Sequence, residues 1–76
     1  MALNRVLLMA DHSKEGLEAI DILFSLPKEI QVKVLPTEPN WPPIAYWRNF
    51  SYQGIGAITR LRDKLQGIYD EGQIPA

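Results

Sequence analysis

The chain has 76 residues, no cysteine, one histidine and a formal net charge of -1. This length is that of one small domain, 1–76, and so short a chain buries only about 60% of the surface that its unfolded form exposes. Without cysteine the chain forms no disulfide, and the usual thiolate zinc sites are excluded. The near-neutral charge predicts no general attraction to nucleic acid or anionic lipid. The longest apolar run, Val6 to Ala10, is far below the roughly 20 residues that span a bilayer, and the N-terminus lacks a signal-peptide pattern, so we expect a cytoplasmic protein.

The first predicted elements are a buried strand and an amphipathic helix. Arg5 to Ala10 carries a short continuous apolar run, which is typical of a central strand. From Lys14 onward the apolar positions recur at helical spacing and acidic residues occupy the opposite side. The predicted apolar face of this helix consists of Leu17, Ile20, Leu23 and Phe24.

A half-covered strand and a stiff connection come next. Residues 30–35 alternate between apolar and polar side chains, as in a strand with one covered face, and Gln31 and Lys33 lie on the uncovered side. Four prolines between Pro36 and Pro43 forbid a helix and favour an extended connection.

The second half of the chain predicts a hairpin and a second helix. Ile44–Trp47 and Phe50–Gln53 flank the two-residue turn Arg48-Asn49, in which Asn49 tolerates a positive φ. An amphipathic helix then begins at Ile55 and is closed by Gly72. The expected class is α/β, because a right-handed crossover through the first helix makes the first two strands parallel neighbours.

The chain resembles the glutaredoxins of the thioredoxin superfamily over nearly its whole length. Residues 43–56 look like the family's proline, hairpin and glycine pair, and residues 65–74 are similar to its last helix and tail. The resemblance implies a minimal thioredoxin/glutaredoxin-like βαββα sandwich, with a mixed four-stranded sheet and two helices on one face. It also implies that one sheet face is open, because the proline-rich segment replaces the family's helix between the second strand and the hairpin.

In that family a Cys-x-x-Cys motif opens the first helix, and the matching positions here run from Ser13 to Gly16. Both sulfurs are absent, so thiol–disulfide exchange is chemically impossible and no redox cofactor is expected. Ser13 could stand in as a nucleophile with His12 as its base. The stronger interpretation is that Ser13 caps the helix, since adjacent residues rarely form a catalytic pair and no third group orients them. We therefore expect no catalytic residue, no metal and no enzymatic activity.

The resemblance also implies a ligand site as an alternative function. Pro43 would be the family's cis-proline, and Gly54 and Gly56 would lie beside the carboxylate of bound glutathione. Pro42 has no backbone N–H, so one hydrogen bond to a thiol ligand would be missing. The competing interpretation is that the two glycines begin the second helix and let it approach the sheet.

Two surface patterns point to macromolecular partners. The aromatic residues between positions 41 and 50 are of the kinds that anchor protein interfaces, and alternation lets only one of two strand neighbours point outward. The candidate interface residues are Trp41, Tyr46, Trp47 and Phe50. A basic patch of Arg60, Arg62 and Lys64 near these aromatics suggests single-stranded nucleic-acid binding as a further alternative.

Together these features predict a non-catalytic protein-interaction or scaffolding module that works through a protein partner or a homodimer. Glutathione or small-thiol binding, with the domain as a degenerate glutaredoxin, and single-stranded nucleic-acid binding remain the alternatives.

Overall fold

The structure is a computed structural model and describes residues 3–38 and 40–73. Pro39 of the proline-rich connection and Ile74 of the C-terminal tail lie outside these ranges. Two helices and four strands form within the described residues. In chain order they are β1 (Arg5–Met9), α1 (Lys14–Phe24), β2 (Gln31–Leu35), β3 (Ile44–Trp47), β4 (Phe50–Gln53) and α2 (Ile55–Asp70).

The four strands form one mixed, open sheet in the order β2-β1-β3-β4. β1 pairs in parallel with β2 and antiparallel with β3, and β3 pairs antiparallel with β4. This confirms the α/β class, the mixed four-stranded sheet and the parallel first pair. The shorthand βαββα is one strand short, because the hairpin supplies two strands and the observed order is βαβββα.

One side of the sheet and both helices enclose the core. In β1, Val6 and Leu8 are buried while Leu7 is only half-buried, as expected when successive side chains point to opposite faces. Both helices contribute to the same cluster and contact each other. The buried apolar residues are Val6, Leu8, Ala10, Ala19, Leu23, Leu26, Ile30, Ala45, Trp47, Ile58, Leu61 and Leu65. No helix in the described ranges is long and apolar enough to cross a membrane.

The predicted face of α1 is wrong in part. Leu23 is buried and Ile20 half-buried, but Leu17 and Phe24 are exposed. The buried side instead begins with Gly16 and Ala19. A Cβ at Gly16 would collide with the backbone oxygen of Asp11 in the loop before the helix, so a side chain does not fit at this position without a shift.

The cis-proline prediction for Pro43 is also wrong. Among the described residues no peptide bond is cis, so the bond between Pro42 and Pro43 is trans. An extended trans chain leads directly into β3, and the Pro43 carbonyl already accepts a hydrogen bond from the backbone N–H of Gly54 at 2.8 Å. Trans is also the lower-energy state of most bonds before proline.

The hairpin turn forms at Arg48-Asn49 as predicted, but the positive φ falls on the other residue. Arg48 has φ of 56°, whereas Asn49 is absent from the positive-φ residues of the described chain. A positive φ at the first turn position alone is the pattern of a type II′ turn, which fits the right-handed twist of the flanking strands. The pairing of Trp47 with Phe50 sets this register.

Candidate functional site

Ser13 is a helix cap in this structure. Its hydroxyl oxygen accepts a hydrogen bond from the backbone N–H of Gly16 at 3.1 Å, which satisfies one of the free donors in the first turn of α1. The hydroxyl donates its proton to the Asp11 carboxylate. Within the described residues His12 forms no hydrogen bond with Ser13, so the arrangement needed for a base-activated nucleophile is absent.

Asp11 stabilises this capped turn electrostatically. It also accepts a hydrogen bond from the backbone N–H of Ser13 at 2.9 Å. The side-chain hydrogen bond from Ser13, and after it the backbone one, hold the pKa of the Asp11 carboxyl below its ordinary value of 3.8. Asp11 is therefore a carboxylate that accepts hydrogen bonds at neutral pH and is poorly suited to taking a proton from serine.

Pro43 and Gly54, two of the positions that the resemblance assigns to glutathione, are joined by a backbone hydrogen bond but do not line the cavity beside Ser13. Ser13 lines a small cavity of about 370 Å³ together with Trp41 and Pro42. Of the described residues that line it, none is Pro43, Gly54 or Gly56. Gly54 has φ of 87° and begins α2, which explains its glycine by backbone conformation alone.

The four predicted interface residues separate into different surroundings. The prediction that Trp47 is an interface residue is wrong. Its side chain is only 2% exposed, and its indole N–H donates a hydrogen bond to the Leu3 carbonyl at 2.9 Å. Alternation along β3 turns Tyr46 to the other side, where it is 40% exposed. Phe50 and Trp41 are also exposed. Phe50 is cross-strand partner to Trp47, and Trp41 lies in the loop before β3, so the three exposed aromatics do not form one patch.

The basic residues of α2 are partly engaged within the fold. Arg62 donates to the hydroxyl of Ser25 at 3.0 Å and forms an ion pair with Asp63 at 3.3 Å. The Lys64 ammonium lies 5.5 Å from the ring centre of Trp47. Two of the three cations in the predicted nucleic-acid patch thus serve local contacts.

A more coherent surface lies on the side of the sheet that neither helix covers. The strand registers place three rows of side chains across it, which together define the open face. These residues are Arg5, Leu7 and Met9 of β1, Gln31, Lys33 and Leu35 of β2, Ile44 and Tyr46 of β3, and Ser51 and Gln53 of β4.

The middle row of the open face brings Lys33, Leu7 and Tyr46 side by side across three strands. Arg48 lies in the hairpin turn, beyond the paired residues of β1 and β3, and its guanidinium carbon is 5.8 Å from the ring centre of Trp47. Arg48, Arg5 and Lys33 line a shallow concavity of about 780 Å³ whose floor includes Leu7 and Leu35. The open face therefore has apolar side chains at one end and basic ones at the other.

The charge on this surface is of one sign. Three of the eight basic residues line the concavity, and none of the nine acidic residues of the chain does so. Every acidic residue belongs to a helix or a loop of the described chain. The open face is thus a local positive field within a chain of net charge -1.

Sequence reasoning placed Gln31 and Lys33 on the open side and left undecided which of Tyr46 and Trp47 points outward, and it missed Arg5 and Arg48. Because β1 reads as a continuous apolar run, it was not noticed that Arg5, Leu7 and Met9 share one parity and lie on the same face of the strand. That parity, combined with Lys33 at the matching position of the parallel strand, was the available signal.

The fold and this surface define a small α/β protein with one uncovered, basic and apolar sheet face. No protein-family model, curated protein or solved structure matches the chain. The resemblance to glutaredoxins accordingly stays a sequence-based prediction.

Proposed function

We propose that this protein is a non-enzymatic interaction or scaffolding module that binds another protein chain through the open face of its sheet. The observation that carries the proposal is the surface of the central strand β1, where half-buried Leu7 lies beside Lys33 and half-buried Met9 lies beside Leu35. A parallel strand pair is usually covered on both faces, because its connections place helices against it. Here the pair of β1 and β2 has helices on one side only.

Covering this face would be energetically favourable. Leu7, Leu35 and Tyr46 line the same concavity, and removing apolar surface from water contributes about 25 cal/mol per Å². The flanking cations add selectivity, because a partner must present acidic groups to avoid leaving them unpaired. Aromatic and arginine side chains are also the residue types that carry most of the binding energy at interfaces.

The glutaredoxin-like origin of the scaffold is part of this proposal. It is supported by a helix that begins next to Ser13, where the resemblance aligns the redox motif, and by the hairpin between residues 44 and 53. The trans bond before Pro43 weighs against a family-type ligand site. A module used for its surface, without thiols and without that site, agrees with both observations.

A second candidate is single-stranded nucleic-acid binding on the same face. Tyr46 beside three cations is the combination that such proteins use to stack bases and hold phosphates. Sheet platforms for RNA present two or three stacking aromatics, however. Among the described residues of the open face, Tyr46 is the one aromatic, and four aliphatic side chains accompany it. This composition favours a protein partner.

Affinity capture from extracts of the source cells tests the proposal with a matched pair of variants. Tyr46→Glu alters an exposed aromatic on the open face, and Phe50→Glu alters an exposed aromatic on the neighbouring strand but outside that face. We expect proteins retained by the wild type and by Phe50→Glu to be lost with Tyr46→Glu. Equal retention by all three contradicts the protein-binding function, and retention abolished by nuclease supports nucleic acid instead.

A further inference from the structure

The open face has a complementary surface on the same molecule, along the outer side of α1. Leu17 is 49% exposed and Phe24 is 58% exposed, which is unusual for large apolar side chains of a small protein. They are seven residues apart, so they lie on the same side of the helix about two turns apart. Exposed Glu18 and Asp21 lie beside them. These four residues form the outer stripe of α1.

We propose that the open face of one copy binds the outer stripe of α1 of a second copy, so that the chains associate head to tail. This inference rests on the proposed function and names its partner. Leu17 and Phe24 would cover the apolar part of the open face, around Leu7 and Tyr46. Glu18 and Asp21 would approach the basic end.

Charge complementarity selects α1 as the occupant. The helix has three acidic residues, Glu15, Glu18 and Asp21, and one basic residue, Lys14. The concavity on the open face has three basic residues and no acidic one among its described lining. The exposed side of α2 is mixed, with Arg60 and Lys64 beside Asp63, and offers no comparable match.

The dimensions also agree. Leu17 and Phe24 lie side by side with Glu18 and Asp21 around α1, so the helix would cross the strands. Four strands about 4.8 Å apart span about 14 Å, which is close to the length of about 16 Å that the 11 residues of α1 span at helical rise. Because α1 packs on the covered side of the sheet, its outer stripe points away from the open face of the same molecule. Docking therefore requires a second copy, and each contact produces a helix layer enclosed between two sheets.

A symmetric dimer through two open faces is disfavoured by the same charges. It would place Arg5, Lys33 and Arg48 of each copy in one interface without an acidic partner, and bringing like charges together is unfavourable. The head-to-tail contact joins different surfaces and leaves one of each free at the ends. Such contacts continue into chains or close into rings.

Sedimentation velocity over a range of concentrations, combined with a charge exchange, tests this contact. We expect the mass of the wild type to rise with concentration from the 8.7 kDa monomer, without stopping at a dimer. The face variant is Arg5→Glu with Lys33→Glu, and the helix variant is Glu18→Lys with Asp21→Lys. Each alone should weaken association at least about tenfold, because like charges then meet across the contact.

The decisive samples combine the substitutions of the face variant with those of the helix variant. An equimolar mixture of the face and helix variants should associate again, since each supplies the surface that the other needs. A single chain with all four substitutions should also associate with itself. The control Lys28→Glu with Arg60→Glu makes the same charge change at exposed positions outside the open face and should behave as the wild type.

Three results would overturn the inference: a wild type that stays monomeric at high micromolar concentration, a mass that stops at the dimer, or reversed variants that fail to associate when mixed. Circular dichroism checks that each variant folds, and Arg5→Gln with Lys33→Gln replaces any face variant that does not. If the wild type is monomeric but capture still depends on Tyr46, the proposed function stands and only this partner is wrong. If both results are negative, the open face is not an interaction surface.

Discussion

The two faces of the sheet differ although the same strands form both. On the covered side, Val6 and Leu8 meet both helices within the core. Leu7 and Met9 alternate with Val6 and Leu8 along β1 and lie on the open face. There they are only half-buried, and their neighbours in β2 are Lys33 and Leu35. The difference shows that alternate residues of one continuous apolar strand can belong to the core and to an uncovered face of the same sheet.

The sharpest test of this difference compares two adjacent leucines. Leu8→Ala should lower the free energy of unfolding by about 2 to 5 kcal/mol, because Leu8 is fully buried and truncation leaves a cavity. Leu7→Ala removes the same atoms from a half-buried site and should cost well under half as much. Urea unfolding at low micromolar concentration measures both. Equal losses would mean that the open face is a second core surface rather than a free one.

The tight connection between β1 and α1 gives the next effect. Gly16→Ala should destabilise the protein by about 1 to 3 kcal/mol, because the new methyl group would strike the backbone oxygen of Asp11. Gly67 in α2 is the matched control, since a Cβ there meets nothing within 4 Å. Gly67→Ala should instead stabilise the helix by up to about 1 kcal/mol. Thermal unfolding of the two variants should therefore shift in opposite directions.

The cap of α1 predicts a smaller effect with a pH signature. Ser13→Ala should cost about 1 kcal/mol, because a first-turn N–H loses its acceptor. The pKa of Asp11 is lowered by its hydrogen bonds with Ser13, so the stability that they contribute is complete above the unfolded value of 3.8. It is lost as the pH falls through the lower folded pKa.

The free energy of unfolding, measured between about pH 5 and pH 2, should show this loss in the wild type. In Asp11→Asn the part of the pH dependence that comes from Asp11 should be absent. If Ser13→Ala abolished partner capture without changing stability, the cap interpretation would be wrong and a direct role for the hydroxyl would follow.

The smallest expected effect is on stability at alkaline pH, and it comes from Tyr69 near the end of α2. The Tyr69 hydroxyl donates to Glu29 at 3.1 Å, and this hydrogen bond raises the pKa of Tyr69 above its ordinary value of 10.0. The neutral tyrosine is the form that stabilises the fold, so its contribution is complete below pH 10.0 and is lost as the pH rises through the higher folded pKa. Melting temperatures measured from pH 9 to pH 11 should fall less steeply for Tyr69→Phe. Parallel profiles of the two proteins would contradict this prediction.

Local sequence information was sufficient for most elements, because their determinants lie within a few residues. Arg48-Asn49 between two alternating segments indicated the hairpin, Gly72 indicated the end of α2, and Ser13 indicated the start of α1. The loss of thiol chemistry likewise needs only the absence of cysteine. The two-residue period of a strand also predicted that only one of Tyr46 and Trp47 points outward.

The tertiary structure alone decided which surfaces are buried. The pattern Leu17, Ile20, Leu23 and Phe24 is a valid helical stripe, but the side of α1 that is buried consists of Gly16, Ala19 and Leu23, and only the assembled fold shows this. The trans bond before Pro43 is the ordinary state of a bond before proline, and the cis prediction came from the resemblance. The basic end of the open face is also a tertiary feature. Arg5, Lys33 and Arg48 are far apart in the chain, and the assembled sheet places them around one concavity.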